Sequence, residues 1–134
     1  MEILIFSDGG ARGNPGPAGA GVVICDAKGK VLEKHKKSLG VMTNNQAEYS
    51  ALILGLEKAK KLKPKKIRCY LDSELLVEQL NQNYKVKNAG LKPLFEEARA
   101  KVLEFPSVTF FHIPREKNEE ADRLANLAMD KMSA

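Results

Sequence analysis

The sequence contains no tryptophan, and only 6% of its 134 residues are aromatic. This scarcity argues against a protein that binds single-stranded nucleic acid by stacking bases on aromatic side chains. Two cysteines, Cys25 and Cys69, are too few for a disulfide framework, and we expect both to be core thiols in a reducing, cytoplasmic setting. Cysteine and histidine residues with the spacing of a zinc site are also missing.

No apolar run approaches the ~18 residues that a membrane-spanning helix needs. The short apolar run at residues 3–6 is flanked by acids, whereas a secretory signal begins with basic residues, so we expect no contact with a membrane. An apolar content of 43% with a net charge of only +5 excludes a mainly disordered chain. The length of 134 residues predicts a single domain, residues 1–134, which we expect to be a monomer.

Positive charge is concentrated in two segments. Residues 58–66 contain six lysines and no acid, and residues 34–37 contain three lysines and His35. Such clusters suit a polyanionic partner, because lysine contacts with phosphates supply much of the affinity of nucleic-acid-binding proteins. A solvated helix end is the alternative explanation for the first cluster, since lysine also suits the negative end of the helix dipole.

The hydrophobic pattern predicts an α/β fold. The expected order is βββαβααβα, with strands at 2–8, 22–25 and 31–39, a helix at 43–62, a strand at 67–71, helices at 73–80 and 92–104, a strand at 108–113 and a helix at 118–132. The glycine- and proline-rich segment 8–21 is expected to be a structured turn region, and Thr43 and Gln46 have the spacing of a capping box. This order predicts a mixed sheet flanked by helices.

Two aspartates directly follow mostly apolar strands. Asp8 follows the first strand and Asp72 the fourth, and ligands of open α/β sheets bind outside the carboxyl ends of strands. If the two strands are parallel neighbours, these carboxylates lie side by side. Each aspartate could instead start a turn, where this residue is common.

Two further acids lie on the helices. Glu48 is in the first turn of the first helix, in one stripe with Leu52 and Gly55, so its carboxylate should point towards the sheet. Asp122 borders the apolar stripe of the last helix. Burial without a partner would be costly for either carboxylate. The alternative is a Glu48 that leans into solvent near the positive end of the helix dipole.

Carboxylates that converge repel each other, and bound divalent cations are the usual compensation. Oxygen ligands favour Mg²⁺ or Mn²⁺ over zinc. Two such ions suit phosphoryl transfer, because one activates a water and the other stabilises the leaving oxygen. We therefore predict a site for two metal ions formed by Asp8, Glu48, Asp72 and Asp122.

Four motifs resemble those of the type 1 ribonucleases H, and the match extends over nearly the whole chain. The motifs are DGGARGNPGPAG at 8–19, TNNQAEYSAL at 43–52, DS at 72–73 and NEEADRLAN at 118–126. The resemblance implies a ribonuclease H-like three-layer fold, with a five-stranded mixed sheet in the order 3-2-1-4-5 and strand four parallel to strand one. It also implies Mg²⁺-dependent endonucleolytic cleavage of the RNA strand of an RNA–DNA hybrid, which leaves 5′-phosphate and 3′-hydroxyl ends, with catalytic roles for the four carboxylates.

The resemblance implies substrate contacts as well. Asn14 and Asn44 match minor-groove contacts of the family, and Asn45 and Gln46 lie where the family contacts nucleotide edges and 2′-hydroxyls. Thr43 matches a residue that holds a DNA-strand phosphate. Amides and hydroxyls suit this recognition, because a 2′-hydroxyl both donates and accepts hydrogen bonds. Helix capping and turn formation are the alternative roles for Thr43, Asn44 and Asn45.

Two of the departures from the family pattern concern the missing protrusion and the missing loop histidine. A basic, tryptophan-containing protrusion after the second helix is reduced to a short polar segment at 81–93, so we expect the lysines of 58–66, or Lys85 and Lys87, to compensate in part. The loop before the last helix has no histidine. Arg115 is the better candidate for that place, as a phosphate ligand and not as a base. His112 precedes Ile-Pro in the last strand, which favours a structural role.

Two other functions stay open on the sequence alone. One is a module that binds RNA–DNA hybrids without turnover, although the complete carboxylate set argues against it. The other is a related 3′–5′ exonuclease. Those enzymes typically have Asp-x-Glu on the first strand, which Asp8 and the two glycines after it do not match.

Overall fold

In the computed structural model, which describes the backbone of residues 1–133 and the side chains of residues 1–131, a five-stranded sheet carries helices on both faces. The elements are β1 (Glu2–Ala11), β2 (Gly16–Asp26), β3 (Val31–Met42), α1 (Asn44–Ala59), β4 (Lys66–Leu71), α2 (Glu74–Leu80), α3 (Lys92–Val102), β5 (Val108–His112) and α4 (Glu119–Ser133). The strand order is β3-β2-β1-β4-β5. β1, β2 and β3 are antiparallel neighbours, β4 is parallel to β1, and β5 is parallel to β4. The predicted order and strand directions are confirmed.

The helices form one layer on each face of the sheet. α1 packs on β1 and β2 with α3 against it, and α4 packs on the opposite face across β1, β2 and β3. The larger hydrophobic core lies under α1 and includes Ile5, Leu52, Leu56, Ile67 and Leu71. A smaller cluster under α4 contains Val23, Cys25, Ala121 and Leu124. The three-layer fold is therefore built from two hydrophobic interfaces that share the sheet.

The segment 8–21, expected to be a turn region, is strand for most of its length, and that prediction is wrong. β1 continues to Ala11 and β2 begins at Gly16, so only the residues between them turn. Asp8 pairs with Gly21 inside the β1–β2 ladder and does not end its strand. Glycine at position 21 lets α4 pack close to the sheet, because a Cβ there would overlap the main chain of Ala121 and hold the helix away.

Helix boundaries differ slightly from the predicted ones. The capping box at Thr43 and Gln46 is confirmed. The first helix, expected to reach residue 62, ends as an α-helix at Ala59 and tightens into a 3₁₀ turn at Lys60–Leu62. A tighter last turn is common where terminal carbonyls lack helical partners. α3 likewise ends at Val102, before the predicted residue 104.

Both cysteines are free and buried, as predicted. Cys25 lies on β2 and Cys69 on β4, and β1 runs between those strands. None of the helices within the described residues is long and apolar enough to cross a membrane.

Candidate active site

The carboxyl end of β4 is where the sheet brings the two aspartates together. The last paired residues of β1 and β4 are Phe6 and Tyr70. Asp8 and Asp72 each come two residues later in the chain, so they lie side by side. β4 ends at Leu71, whereas β1 continues in its pairing with β2. The edge of β1 beside Asp8 is therefore open to other elements.

The first turn of α1 reaches this open edge because of Gly9. A Cβ at that position would overlap the carbonyl oxygen of Ala47, so only glycine permits the helix to lie so close to β1. Glu48, the next residue of the helix, thereby joins the two aspartates. Carboxylate oxygens of Asp8, Glu48 and Asp72 all lie within 4.8 Å of one another.

Asp122 approaches from the other face of the sheet. It lies in the first turn of α4, the helix that packs on the glycines of β2. Its carboxyl group lies near that of Asp8 and raises the pKa of Asp8. The predicted set of four carboxylates is thus brought to one place by a strand, the residue after a strand, the start of the second turn of α1 and the first turn of α4.

These carboxylates line one side of an open cavity of about 440 Å³, which we call the carboxylate cavity. Its lining consists of Asp8, Gly9, Gly10, Ala11, Arg12, Asn44, Glu48, Asp72, Ser73, Arg115, Asp122, Asn126 and Met129. The only cationic side chains in this lining are Arg12 and Arg115. Acidic groups outnumber basic ones, so the cavity is suited to cations.

Two carboxyl groups of the cavity hold their protons unusually tightly. Burial, the neighbouring charge of Asp72 and hydrogen bonding with Asp122 raise the pKa of Asp8 to about 8. Burial, followed by the charges of Asp8 and Asp72, raises the pKa of Glu48 to about 9. Arg115 opposes both shifts. The protein alone therefore does not supply enough positive charge to keep these groups ionised at neutral pH.

A buried oxygen without a partner points to what completes the site. Oε2 of Glu48 is inaccessible to solvent and accepts no hydrogen bond from the described residues. Native proteins rarely leave such an atom unsatisfied, and a divalent cation would satisfy it while removing the repulsion among the carboxylates. Hard oxygen donors of this kind fit Mg²⁺ or Mn²⁺. The residues present therefore fit the predicted metal site.

A second cavity of about 370 Å³ collects the predicted amide and hydroxyl residues, and we call it the amide cavity. It is lined by Asn14, Thr43, Asn44, Asn45, Gln46, Asn88 and Leu91. Asn44 lines both cavities, so they meet at the start of α1. All five predicted substrate-binding residues therefore share one surface next to the carboxylates.

Hydrogen bonds hold the amide cavity in shape. Asn14 Oδ1 accepts from the main-chain N–H of Asn44 at 3.0 Å, and Asn44 Oδ1 accepts from that of Ala11 at 2.9 Å. Thr43 and Gln46 form the two reciprocal bonds of the capping box. Thr43 therefore caps α1, and Asn44 stabilises the neighbouring turn, as the alternative roles for these residues predicted. The bonds of Asn14 and Asn44 use Oδ1, which leaves the Nδ2 amide of each as the donor it can present to a ligand.

Comparison with known proteins agrees with this geometry. A family model described as reverse transcriptase-like matches residues 6–128. The ribonuclease H of Hydrogenovibrio crunogenus is 34% identical, and the match covers 99% of each chain. The chain belongs to the type 1 ribonuclease H family.

Two further relatives extend the comparison. The bifunctional protein Rv2228c of Mycobacterium tuberculosis is 45% identical over 97% of this chain, but the chain spans only 36% of the length of that relative. The structure of LC11-RNase H1, isolated from compost, in complex with an RNA/DNA hybrid has a TM-score of 0.94 at 46% identity. That match covers 98% of this chain and 99% of the other.

The two accessory residues differ in position. Arg115 lies in the 3₁₀ turn between β5 and α4 and lines the carboxylate cavity. His112 is the last residue of β5, is exposed, and is not part of that lining. The structure therefore places Arg115, and not His112, at the carboxylate cavity.

The segment that replaces the basic protrusion of some ribonucleases H is a short run of turns between α2 and α3. Gln46 Nε2 donates to Gly90 O at 3.4 Å, so this segment contacts the amide cavity, and Lys87 is three residues away in the chain. The lysines of 58–66 begin at the far end of α1, about 15 Å along the helix from Glu48. Lys60 and Lys61 are paired with Glu104 and Glu33.

Asn118 is a functional candidate that sequence reasoning treated only as the start of the last helix. Its side chain is buried, and Nδ2 donates to Ser7 O at 2.9 Å and to Asp72 Oδ2 at 3.2 Å. It therefore fixes the Asp72 carboxylate relative to β1. Its place in the motif at 118–126, one helical turn before Asp122, is the sequence signal that could have identified it.

Proposed function

We propose that this chain is an endoribonuclease that hydrolyses the RNA strand of RNA–DNA hybrids with two divalent cations, Mg²⁺ or Mn²⁺. The observation that carries the proposal is the cluster of three carboxylates within 4.8 Å, one of which has a buried oxygen without a partner in the part of the chain that the structure describes. Membership of the ribonuclease H family supports the reaction. The structure of LC11-RNase H1 with an RNA/DNA hybrid supports the choice of substrate.

In this proposal Asp8, Glu48 and Asp72 hold the cations, and Asp122 completes the site, mainly on the side of the attacking water. The cations, when bound, would lower the pKa of a water molecule and stabilise the leaving oxygen. Asn118 keeps the Asp72 carboxylate in place by the hydrogen bond that it donates. The products would carry 5′-phosphate and 3′-hydroxyl ends.

The amide cavity would bind the hybrid next to the cleavage site. Asn14 and Asn44 would donate Nδ2 hydrogen bonds in the minor groove, and Asn45 and Gln46 would contact nucleotide edges and 2′-hydroxyls. Thr43 would hold a phosphate of the DNA strand. Because these groups are neutral and already ordered by bonds within the protein, they can recognise the shape of the hybrid at little cost in conformational entropy.

Arg115 would bind a phosphate at the carboxylate cavity. It is permanently charged and cannot act as a base, so it would contribute attraction and orientation, not proton transfer. Replacement of Arg115 and His112 separately by alanine tests this assignment. We expect Arg115→Ala to be the slower enzyme, and a slower His112→Ala would contradict the assignment.

The main test compares wild type and Asp8→Asn on a labelled hybrid whose ends are blocked, with Mg²⁺ present. We expect wild type to cut internally and Asp8→Asn to lose activity by roughly 10³-fold or more, because a metal ligand contributes several kcal/mol of charge stabilisation. Asp26→Asn is the matched control. Its Oδ1 accepts two turn N–H bonds that asparagine can keep.

Each other outcome identifies a different function. Binding of the hybrid without cleavage by wild type would favour a binding module. Cleavage only of hybrids with free ends would favour an exonuclease. Full activity of Asp8→Asn would contradict the metal site itself.

A further inference from the structure

Arg12 is the cation of the carboxylate cavity that the proposed reaction does not use. It follows the end of β1, and its main-chain N–H donates to Pro17 O at 2.8 Å, which fixes the turn into β2. Its guanidinium is ion-paired with Asp130 of α4 and donates to Asn126 Oδ1 at 3.5 Å. The charged end of the side chain is therefore held against α4 while it lines the cavity.

The position of this pair follows from two elements that run side by side. β1 carries Arg12 about 13 Å beyond Asp8, at 3.3 Å per residue. α4 carries Asp130 about 12 Å beyond Asp122, at 1.5 Å per residue. Asp8 and Asp122 line the same cavity, and Arg12 is paired with Asp130, so β1 and α4 run alongside each other between these two pairs of residues.

Asn126 connects Asp122 with Arg12. Its Nδ2 donates to Asp122 O at 2.9 Å, and its Oδ1 accepts the bond from Arg12. All three of Asp122, Asn126 and Arg12 line the same cavity. A polyanionic strand that places one phosphate at the carboxylates would therefore pass Arg12 with a neighbouring phosphate.

The partner of Arg12 is one that a phosphate can displace. The side chains of Arg12 and Asp130 are 42% and 57% exposed, and ion pairs in contact with water contribute little to stability. A guanidinium forms stronger, bidentate hydrogen bonds with phosphate oxygens. The pair thus leaves Arg12 ordered but available, which lowers the entropy lost when a ligand binds.

We propose that Arg12 binds a phosphate of the cleaved strand that flanks the scissile one, and that Asp130 holds the guanidinium in place until this phosphate displaces it. This inference rests on the proposed function. It makes the two members of one ion pair act in opposite directions on substrate affinity: Arg12 favours binding and Asp130 competes with it.

The test measures KM for the hybrid over a series of salt concentrations in the full chain with Mg²⁺. We expect Arg12→Ala to raise KM about three- to tenfold and to reduce the slope of log KM against log salt by about one, as loss of one phosphate contact does. Asp130→Asn should lower KM by roughly twofold, because it removes a competitor of that strength. In the Arg12→Ala background, Asp130→Asn should have no effect on KM.

Arg123→Ala is the matched control, since Arg123 is an exposed arginine of α4 that is paired with Glu120 outside the carboxylate cavity. It should leave KM and the salt slope unchanged. Arg12→Lys, which keeps the charge, should keep the salt slope even if Arg12→Ala folds poorly. The inference would be overturned if KM changed in the same direction in Arg12→Ala and Asp130→Asn, or if the salt slope were unchanged in Arg12→Ala. The ion pair would then have only a structural role. If wild type itself does not cleave the hybrid, the proposed function fails instead.

Discussion

The carboxylate cavity and the amide cavity meet at Asn44, yet their polar groups are satisfied in different ways. In the amide cavity, side chains and main-chain N–H groups of the protein complete one another through four hydrogen bonds at Asn14, Asn44, Thr43 and Gln46. In the carboxylate cavity, acidic groups converge and an oxygen of Glu48 has no partner among the described residues. One surface is complete before any ligand arrives, whereas the other needs cations.

Under the proposed function, this difference would separate substrate recognition from chemistry within about one turn of helix. Residues 44–46 and Glu48 all belong to the start of α1. The hydrogen-bonded residues fix the position of the helix, and Gly9 lets the helix come close to β1. The hydrogen-bonded residues of the amide cavity therefore help to position the carboxylates. Substitutions in the two cavities should have different consequences.

The largest expected effect is that of Glu48→Gln. Cleavage should fall by roughly 10³-fold, because a metal ligand is lost. The metal-free protein should nevertheless become more stable by about 1 kcal/mol at neutral pH, since glutamine folds without the proton uptake that the raised pKa of Glu48 requires. Steady-state rates and thermal unfolding in EDTA measure the two effects. Glu57→Gln, on the exposed side of the same helix, is the control.

A gain in stability without loss of activity in Glu48→Gln would mean that the two cavities do not differ in the way described. A loss of both would mean that Glu48 has a structural partner. Either result would remove the distinction between the complete surface and the incomplete one.

The second prediction concerns pH. The folded-state pKa values of about 8 for Asp8 and about 9 for Glu48 lie above the ordinary values of about 4 in the unfolded chain. The folded protein therefore binds more protons, so these groups stabilise it most below about pH 4, and this stability is lost as pH rises towards about 9. In EDTA, Tm should fall by roughly 5 °C or more between pH 5 and pH 9.

Mg²⁺ should reverse this loss, because it binds the ionised carboxylates of the folded protein. The gain in Tm on adding Mg²⁺ should be larger at pH 9 than at pH 5, and Glu48→Gln should flatten the metal-free pH profile. An equal Mg²⁺ effect at both pH values would count against a metal site with tightly held protons.

The third prediction concerns Asn118. Asn118→Ala should lower kcat by about ten- to a hundredfold and raise the Mg²⁺ concentration needed for half-maximal rate, because Asp72 loses the donor that orients it. The free energy of unfolding should fall by about 1–3 kcal/mol, because Ser7 O loses its donor inside the protein. The exposed Asn81→Ala is the control. An unchanged Mg²⁺ requirement would limit Asn118 to a role in folding.

A smaller effect is expected on the amide side. Asn44→Ala should raise KM for the hybrid by about three- to tenfold and leave kcat nearly unchanged, because it removes a neutral contact and not a metal ligand. Asn83→Ala, which removes an exposed amide paired with Glu78, should leave both constants unchanged. If kcat falls as far as in the carboxylate variants, the separation between recognition and chemistry is wrong.

The smallest effect is expected for the remote lysines. Replacement of Lys60, Lys61 and Lys63 by glutamine should change KM by less than about twofold at physiological salt, because they lie well beyond one Debye length from the carboxylates. Replacement of Lys85 and Lys87 should raise KM more, since their segment contacts Gln46. The reverse order would assign substrate binding to the far end of α1.

The sheet order was predicted from the family resemblance, whereas the grouping of the four carboxylates was predicted from local signals. Acids that follow apolar runs and the helical spacing from Glu48 to Gly55 are visible within a few residues. The strand character of 8–21 was missed because glycine has low strand propensity by itself. Pairing and contact with α4, which only the fold supplies, override that preference. Asn118 was missed because its partners, Ser7 and Asp72, are 111 and 46 residues away in the chain.

The contact between Gly9 and Ala47 sets the distance between the sheet and the helix that carries Glu48. A single added methyl group at position 9 would widen that distance and move Glu48 away from the aspartates, although no acidic residue would be replaced. The proposed capacity to bind divalent cations therefore depends as much on a missing side chain as on the acids themselves. A relative that keeps all four acids but replaces this glycine would be expected to retain the architecture and lose the chemistry.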